Sequence, residues 1–239
     1  MRQAVASSRN AGRFDAVLLD AGGVLVLPHH DVLADHALRP LGINVEPEAL
    51  NRALYESGHA LGFWPVGDDP VWEVWTRAYL RSIGIEPGDE PIAILMSAFK
   101  RLDMWTSPAP GVAGGLRAIA ATGVKIAVVS NADGQVEADL ARLGVCQVGE
   151  GAGVTIDAVV DSSVVGVAKP DPRIFHLTLE RLGVAPERAV HVGDIIGADV
   201  AGATAAGVHP VHFDPYGLCG ADDHDHAAGL TEIADLVGA

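Results

Sequence analysis

Residues 14–25 read FDAVLLDAGGVL, an apolar run that ends at an aspartate and is followed by two glycines. The run has the length and composition of a strand buried on both faces, which is typical of a parallel sheet. Asp20 stands where this strand should end. Gly22 and Gly23 let a ligand approach the backbone closely, and backbone N–H groups in such a turn can hold an anion. By itself the segment is compatible with a structural turn as well as with an active site.

Four more runs of this type follow along the chain: VKIAVVS (124–130), DAVVDS (157–162), RAVHVGD (188–194) and VHPVHFD (208–214). Between them lie segments with a helical pattern, at 112–122, 134–144, 171–183 and 198–207. This alternation predicts an α/β fold with a doubly wound parallel sheet, in which ligands bind at the carboxyl ends of the strands. The polar residues at or near those ends are Asp20, Ser130, Asp161 and Asp194.

The segment between the first two runs contains no apolar run that is typical of a strand. Turn signals separate four predicted helices, at 30–39, 46–59, 70–83 and 90–102. We therefore predict an α/β core made of residues 13–29 and 107–239, with a helical cap domain inserted over 30–106. Because both ends of the insertion meet the sheet near Asp20, the cap is expected to close over that residue.

The composition is that of an acidic, packed globular protein: 49% of its 239 residues are apolar, and the formal net charge is −15. Such acidity argues against a nucleic-acid partner and against adhesion to anionic membranes. No apolar run approaches the length of about 20 residues that crosses a bilayer. We expect a small-molecule substrate and a cytoplasmic location, and the sequence leaves monomer and homodimer equally open.

The two cysteines, Cys146 and Cys219, have no metal-like spacing and are expected to be reduced thiols. The segment DDHDH (222–226) contains His224 and His226. These histidines could bind a metal adventitiously, but the favoured interpretation is a mobile, solvated loop. Neither feature is assigned to the active site.

Three further segments carry polar chemistry at the predicted strand ends. Ser130 and Asn131 offer a hydroxyl and an amide to a ligand, or cap the next helix. Lys169 precedes Pro170 in a rigid turn, which suits a lysine that orients charge. Asp194 and Asp199 together suit a hard cation such as Mg²⁺, although a helix cap with a favourable dipole charge would use the same residues.

These four segments, in this order, resemble the signature segments of the haloacid dehalogenase superfamily of hydrolases. The resemblance covers about 13–29 and 107–214, and it implies a Rossmann-like core with a cap in that superfamily's first (C1) position. It implies a phosphatase in which Asp20 is the nucleophile and forms an aspartyl-phosphate. Mg²⁺ would be bound by Asp20, by the backbone carbonyl of Gly22 and by Asp194.

The resemblance also assigns the supporting residues. Ser130 would bind the transferring phosphoryl group, with Asn131 nearby. Lys169 would neutralise the charge of the nucleophile and the phosphate, and Asp199 would be a supporting acid. Gly23, His59 and Trp64 are further candidates for substrate binding.

Gly22 departs from the pattern, because phosphatases of this superfamily usually carry an acid/base aspartate there. Losing such a group typically costs on the order of 10²–10⁴ in rate. A good leaving group, slow turnover or a substitute acid would account for the glycine, and His29, His30 and His59 are candidates for the substitute. The leading prediction is a Mg²⁺-dependent phosphatase acting on a small phosphorylated metabolite, in particular a sugar phosphate. The alternatives are a 2-haloacid dehalogenase and a weak or non-catalytic binding protein on the same fold.

Overall fold

The computed structural model describes residues 13–62 and 69–239. Its strands are β1 (Ala16–Leu19), β2 (Val26–Leu27), β3 (Ser107–Pro108), β4 (Lys125–Ser130), β5 (Cys146–Val148), β6 (Val154–Ile156), β7 (Ala158–Asp161), β8 (Ala189–Gly193), β9 (His209–Phe213) and β10 (Asp225–Ala227). Its α-helices are α1 (His30–Leu33), α2 (Pro47–Leu61), α3 (Asp69–Ser82), α4 (Asp89–Phe99), α5 (Val112–Thr122), α6 (Val136–Arg142), α7 (Ser162–Val165), α8 (Pro172–Leu182), α9 (Ala201–Ala205) and α10 (Leu230–Gly238). Two π-helical turns, Ala34–Leu38 and Ile196–Val200, and a 3₁₀ turn, Pro186–Arg188, complete the described elements.

The main sheet has six parallel strands in the order β10-β9-β8-β1-β4-β7. Alternate residues of its central strands face opposite sides, as the pleat requires. Leu19 and Val17 of β1 belong to one buried apolar cluster, whereas Leu18 and Ala16 belong to another on the opposite face. Helices cover both faces, so the predicted doubly wound α/β fold is confirmed.

All five predicted strands are present, because each is a short apolar run buried on both sides. The sixth strand, β10, was missed, since its sequence Asp-His-Ala has no apolar pattern and it is held by its parallel pairing with β9. The helix predicted over 198–207 was only partly right. It begins as the π-helical turn Ile196–Val200 and continues as α9.

The four helical segments predicted between residues 30 and 102 are also present, at 30–38, 47–61, 69–82 and 89–99. Their buried apolar side chains, such as Leu33, Leu54 and Tyr79, share one cluster with Leu19 and Val128 of the sheet. None of the helices in residues 13–62 and 69–239 combines the length and apolar character needed to span a bilayer. The exact boundaries of a separate core and cap stay a prediction.

Candidate active site

A cavity of about 400 Å³ lies at the carboxyl ends of β1, β4 and β8, beneath the inserted helices. Its sheet side carries most of the residues singled out in the sequence: Asp20, Gly22, Ser130, Asn131, Lys169, Asp194 and Asp199. Its opposite side carries aromatic rings and two cations: Trp72, Trp75, Phe99, Trp105, Lys100 and Arg101. The fold therefore brings residues that are up to 179 positions apart in the sequence to one wall of one cavity.

Lys169 joins two carboxylates at the base of this cavity. Its Nζ lies 2.9 Å from Oδ1 of Asp20 and 2.7 Å from Oδ1 of Asp199, and its side chain is 1% exposed. The backbone N–H of Ala21 donates to the same oxygen of Asp20 at 2.7 Å. Two donors on one oxygen fix the plane of the Asp20 carboxylate and leave Oδ2 as the less restrained oxygen. A carboxylate held in this way can act as a nucleophile.

Asp199 is held from three sides. It accepts from Lys169, its Oδ1 lies 2.8 Å from Nε2 of His191, and its Oδ2 accepts from the backbone N–H of Ile195 at 3.1 Å. The π-helical turn Ile196–Val200 places this side chain, since the N–H of Asp199 donates to the carbonyl of Ile195 at 2.7 Å. Asp199 therefore orients Lys169.

The protonation equilibria of the buried acids differ according to their neighbours. Burial raises the pKa of Asp20, and the nearby Lys169 opposes that rise. Burial, followed by the charges of Asp20 and Asp199, raises the pKa of Asp194 well above its ordinary value. Burial acts to raise the pKa of Asp199 as well, but Lys169 and His191 outweigh it, and that pKa lies below its ordinary value.

Lys169 remains charged because its two carboxylate neighbours outweigh the effect of burial. Burial acts to lower the pKa of its ammonium group, but the charges of Asp199 and Asp20 outweigh burial and raise the pKa. The site thus combines one fixed cation with one firmly ionised carboxylate, and with two carboxylates whose ionisation is disfavoured.

The three buried aspartates provide a test of whether a metal ion fits. One oxygen from each of Asp20, Asp194 and Asp199 lies within 4.8 Å of the others. Three carboxylates against the single charge of Lys169 leave a formal charge of −2 in a buried site, which is costly unless it is compensated. A divalent cation with oxygen ligands would compensate this charge, and Mg²⁺ prefers such ligands, so the three carboxylates fit a Mg²⁺ ion.

The two glycines after Asp20 have different structural roles. Gly22 lines the cavity, and a Cβ at this position would lie 3.3 Å from the indole ring of Trp105. Gly23 has a φ of +77°, and a Cβ there would lie 2.3 Å from Oδ2 of Asp194. Gly23 is therefore required for the close approach of Asp194.

The prediction that Gly23 binds substrate has no support in this geometry. Its N–H donates to the carbonyl of Val26 at 2.9 Å, and its carbonyl accepts from the hydroxyl of Tyr55 at 2.6 Å. Both backbone groups are thus engaged inside the protein, and Gly23 lies behind the cavity wall rather than in it.

Ser130 ends β4 and Asn131 follows it, both at the cavity, but their side chains differ in availability to a ligand. The amide of Asn131 makes two bonds to the backbone of Lys169: Nδ2 donates to its carbonyl at 2.9 Å, and Oδ1 accepts from its N–H at 2.8 Å. Asn131 therefore positions Lys169 rather than offering its amide to a ligand. Ser130 is buried and lines the cavity.

Several other predicted residues do not reach the cavity. His59 is exposed near the end of α2, because the adjacent Gly58 takes the face of the helix that approaches Asp194. His30 pairs with Asn51 at 2.9 Å, and neither it nor the half-buried His29 lines the cavity wall. Trp64 lies outside the described residues.

Asp161 likewise has a local role rather than a place at the cavity. Its carboxylate accepts from the N–H groups of Ser163 and Gly134, at 2.9 and 2.8 Å, and so caps α7.

Sequence reasoning missed His191, Tyr55 and Trp105. A histidine inside an otherwise apolar strand was the one available signal for His191, whereas the contacts of Tyr55 and Trp105 depend on how the inserted helices fold back.

Comparison with known proteins identifies the family of this chain. Residues 14–207 match the family described as haloacid dehalogenase-like hydrolase. A Bos taurus protein, haloacid dehalogenase-like hydrolase domain-containing protein 3, is 31% identical over 80% of this chain and 78% of its own length. The mouse protein of that name is 44% identical over a segment that spans 32% of it. A glyceraldehyde 3-phosphate phosphatase of Methanopyrus kandleri is 35% identical over 56% of this chain and 55% of its length.

Solved structures agree with the fold. A HAD phosphatase from Thermococcus onnurineus superposes with a TM-score of 0.56 at 25% identity, covering 94% of this chain and 98% of that one. A dehalogenase solved with an intermediate complex superposes with a TM-score of 0.60 at 22% identity, over 95% and 99% of the two chains. Proteins named phosphatase and dehalogenase therefore share this architecture, so the fold alone does not determine the reaction.

Proposed function

This chain belongs to the haloacid dehalogenase-like hydrolases, and from that premise we propose that it is a Mg²⁺-dependent phosphatase of small phosphorylated metabolites. The observation that carries the proposal is the contact of Lys169 with Asp20 beside the second carboxylate of Asp194. Phosphoryl transfer depends mainly on positioning and on charge neutralisation, and this site supplies both.

In the proposed reaction Asp20 is the nucleophile. A carboxylate oxygen of Asp20 forms a bond to phosphorus while the bond from phosphorus to the leaving oxygen breaks, which gives an aspartyl-phosphate and an anionic leaving group that takes a proton from solvent. Water then attacks the phosphorus, inorganic phosphate leaves, and the Asp20 carboxylate is regenerated. Lys169 and the hydroxyl of Ser130 stabilise the charge on the phosphoryl oxygens, as donors already in place before substrate binds.

The cation would be held by Asp20, Asp194 and the backbone carbonyl of Gly22. When bound, Mg²⁺ supplies positive charge to the phosphoryl oxygens and brings the two carboxylates together. The raised pKa of Asp194 supports this assignment, since a carboxylate that is costly to ionise alone gains most from a cation.

Gly22 occupies the position at which, we propose, related phosphatases carry an acid/base aspartate. The ring of Trp105 packs against this position, and the histidines considered as substitutes do not line the cavity wall. We therefore propose that the enzyme works without a strong general acid and favours substrates whose leaving oxygen is already stable as an anion.

The cavity and the relatives support a small substrate. Proteins similar to this chain are named glyceraldehyde 3-phosphate phosphatase, phosphoserine phosphatase and ribulose-1,5-bisphosphate 5-phosphatase. A cavity of about 400 Å³ is in the range of small-molecule sites. Lys100 and Arg101 on its outer side can bind an anionic group remote from the phosphate, and the aromatic rings can cover the carbon skeleton. In this proposal the helices of residues 30–106 form the C1-type cap that contributes these contacts.

A panel of phosphate esters, assayed with and without Mg²⁺, tests the proposal. Asp20→Asn is the control, because it removes the nucleophile and changes few atoms. We expect Mg²⁺-dependent phosphate release that the control abolishes. Equal activity of the two proteins would overturn the proposal, and halide release from 2-chloropropionate without Mg²⁺ would favour the dehalogenase.

The variant Gly22→Asp tests the part of the proposal that concerns the leaving group. On alkyl phosphates we expect a gain approaching the order of 10²–10⁴ that general acid catalysis supplies, provided that Trp105 moves by a few tenths of an ångström. On aryl phosphates, whose leaving group needs no proton, we expect little gain. A loss on alkyl phosphates in a folded variant would point to another acid already in the cavity.

A further inference from the structure

A second cluster of metal-ligating side chains lies behind the active site, on the far side of the Asp194 backbone. It consists of His212, Cys219, His224 and His226, which we call the C-terminal cluster. One ligand atom from each lies within 4.8 Å of the others. None of the proposed phosphatase chemistry uses these residues.

The fold brings the cluster together through a strand pairing and a tight loop. His212 and His226 are directly paired across β9 and β10, so they project from the same face of the sheet. Between these strands the carboxylate of Asp214 accepts from the N–H groups of Leu218 and Cys219 at 2.9 and 2.8 Å. This loop holds Cys219 over the histidine pair.

The hydrogen bonding of His212 leaves one of its ring nitrogens available to bind a metal. Nε2 of the buried His212 bonds the carbonyl of Asp194 at 3.2 Å, so this nitrogen carries the proton. Nδ1 of His212 is then a bare lone pair that is buried and has no hydrogen-bond partner within the described part of the chain. A neutral imidazole whose other nitrogen donates to a carbonyl is the usual form of a metal-bound histidine.

His224 is oriented in the same manner. Its Nδ1 lies 2.6 Å from the carboxylate of Asp223, which leaves Nε2 facing Sγ of Cys219 at 3.7 Å. The side chain of His224 is 1% exposed. Two ligands of a tetrahedral zinc, one nitrogen and one sulfur, lie about 3.6 Å apart, which follows from their usual bond lengths. The pair therefore already has the spacing of a bound zinc.

We propose that the C-terminal cluster binds one Zn²⁺ through Cys219, His212, His224 and His226. One thiolate and three imidazoles suit Zn²⁺ and disfavour Mg²⁺, which prefers oxygen ligands. Binding converts the Cys219 thiol to a thiolate and releases its proton to solvent. Four protein ligands make a closed site, so the role is structural: the ion ties β10 and the 214–226 loop to β9, and through His212 it braces the Asp194 carbonyl.

The experiment uses the full chain, stripped with a chelator and then dialysed against Zn²⁺ with excess Mg²⁺ present to occupy the oxygen-ligand site. We expect about one Zn²⁺ per chain by elemental analysis, and a rise in the thermal midpoint. Cys219→Ser and His226→Ala should each lose most of this zinc. Cys146→Ala is the matched control, since that thiol lies in β5, outside the cluster, and it should retain the ion.

Substitution with Co²⁺ gives a second readout that does not depend on stability. The wild-type protein should show the intense visible bands of a tetrahedral site and a thiolate-to-cobalt charge-transfer band, and Cys219→Ser should lack the latter. Equal zinc content in wild type and Cys219→Ser, or zinc lost on Asp194→Asn but kept in Cys219→Ser, would overturn the proposal. A wild-type protein that retains no zinc after dialysis would also overturn it.

Discussion

Replacing Lys169 by methionine should strongly destabilise the metal-free protein. At an effective dielectric constant of about 20, each of its contacts, at 2.9 Å to Asp20 and 2.7 Å to Asp199, is worth about 6 kcal/mol of gross attraction. Desolvation of the buried ammonium offsets much of this gain. Removing the ammonium while keeping the chain volume leaves three buried acids without a cation. The expected loss is that of a broken buried pair, about 3–5 kcal/mol.

Urea denaturation of the chelator-treated protein at pH 7 measures this loss directly, and a loss of that size corresponds to a fall of roughly 6–20 °C in the thermal midpoint. The matched control is Lys100→Met, which removes the same charge from an exposed position and should change the free energy of unfolding by less than about 0.5 kcal/mol. The defect of Lys169→Met should shrink as the pH is lowered, because protonation of Asp20 and Asp194 removes negative charge that Lys169 otherwise compensates. A loss below about 1 kcal/mol at pH 7 would refute the reasoning.

Two further predictions concern Asp194 and the glycine that it touches. Because the folded-state pKa of Asp194 and Asp20 is raised, their stabilising contribution is present at low pH and is lost as pH rises through those raised values. The metal-free protein should therefore lose stability as the pH rises above the ordinary aspartate pKa of about 4, and Mg²⁺ or Asp194→Asn should flatten the slope; an unchanged slope in that variant would count against the assignment. Gly23→Ala should cost more than about 2 kcal/mol and weaken Mg²⁺ binding, whereas Gly111→Ala, with φ +75° and open space, should cost about 1 kcal/mol and leave Mg²⁺ binding intact. Urea denaturation measures the loss of stability, and calorimetric titration measures Mg²⁺ binding. Equal effects of Gly23→Ala and Gly111→Ala on these two quantities would contradict the proposed contact of Gly23 with Asp194.

The sheet could be predicted from the sequence because its strands are continuous apolar runs. Residues 126–130 and 189–193 are buried, and their continuous apolar composition is typical of strands that are covered on both faces. The edge strand β10 could not be predicted in the same way, since Asp225 and His226 are exposed and the strand is defined by its partner. The π-helical turn at Asp199 also depends on tertiary contacts, namely those of the carboxylate with Lys169 and His191.

The site could be predicted where chemistry follows a strand end, and not where it depends on helix orientation. Asp20 and Asp194 meet because the parallel strands β1 and β8 place their carboxyl ends together, whereas Lys169 reaches them from the loop between α7 and α8. His59 was predicted to bind substrate because of its residue type and its position in the insertion. It is exposed instead, because the preceding residue, Gly58, lies on the face of α2 that approaches Asp194. Trp105 was overlooked for the converse reason, because its contact with Gly22 depends on the path of the chain after α4.

The central claim is that Asp20 attacks phosphorus, and trapping the covalent species tests it most directly. The enzyme is mixed with ³²P-labelled aryl phosphate and Mg²⁺, quenched in acid within one turnover, digested and sequenced by mass spectrometry. We predict a hydroxylamine-labile phosphoryl group on Asp20 that disappears when excess unlabelled substrate is added before the quench. Steady phosphate release with no label on Asp20, or with the label on another residue, would contradict the account.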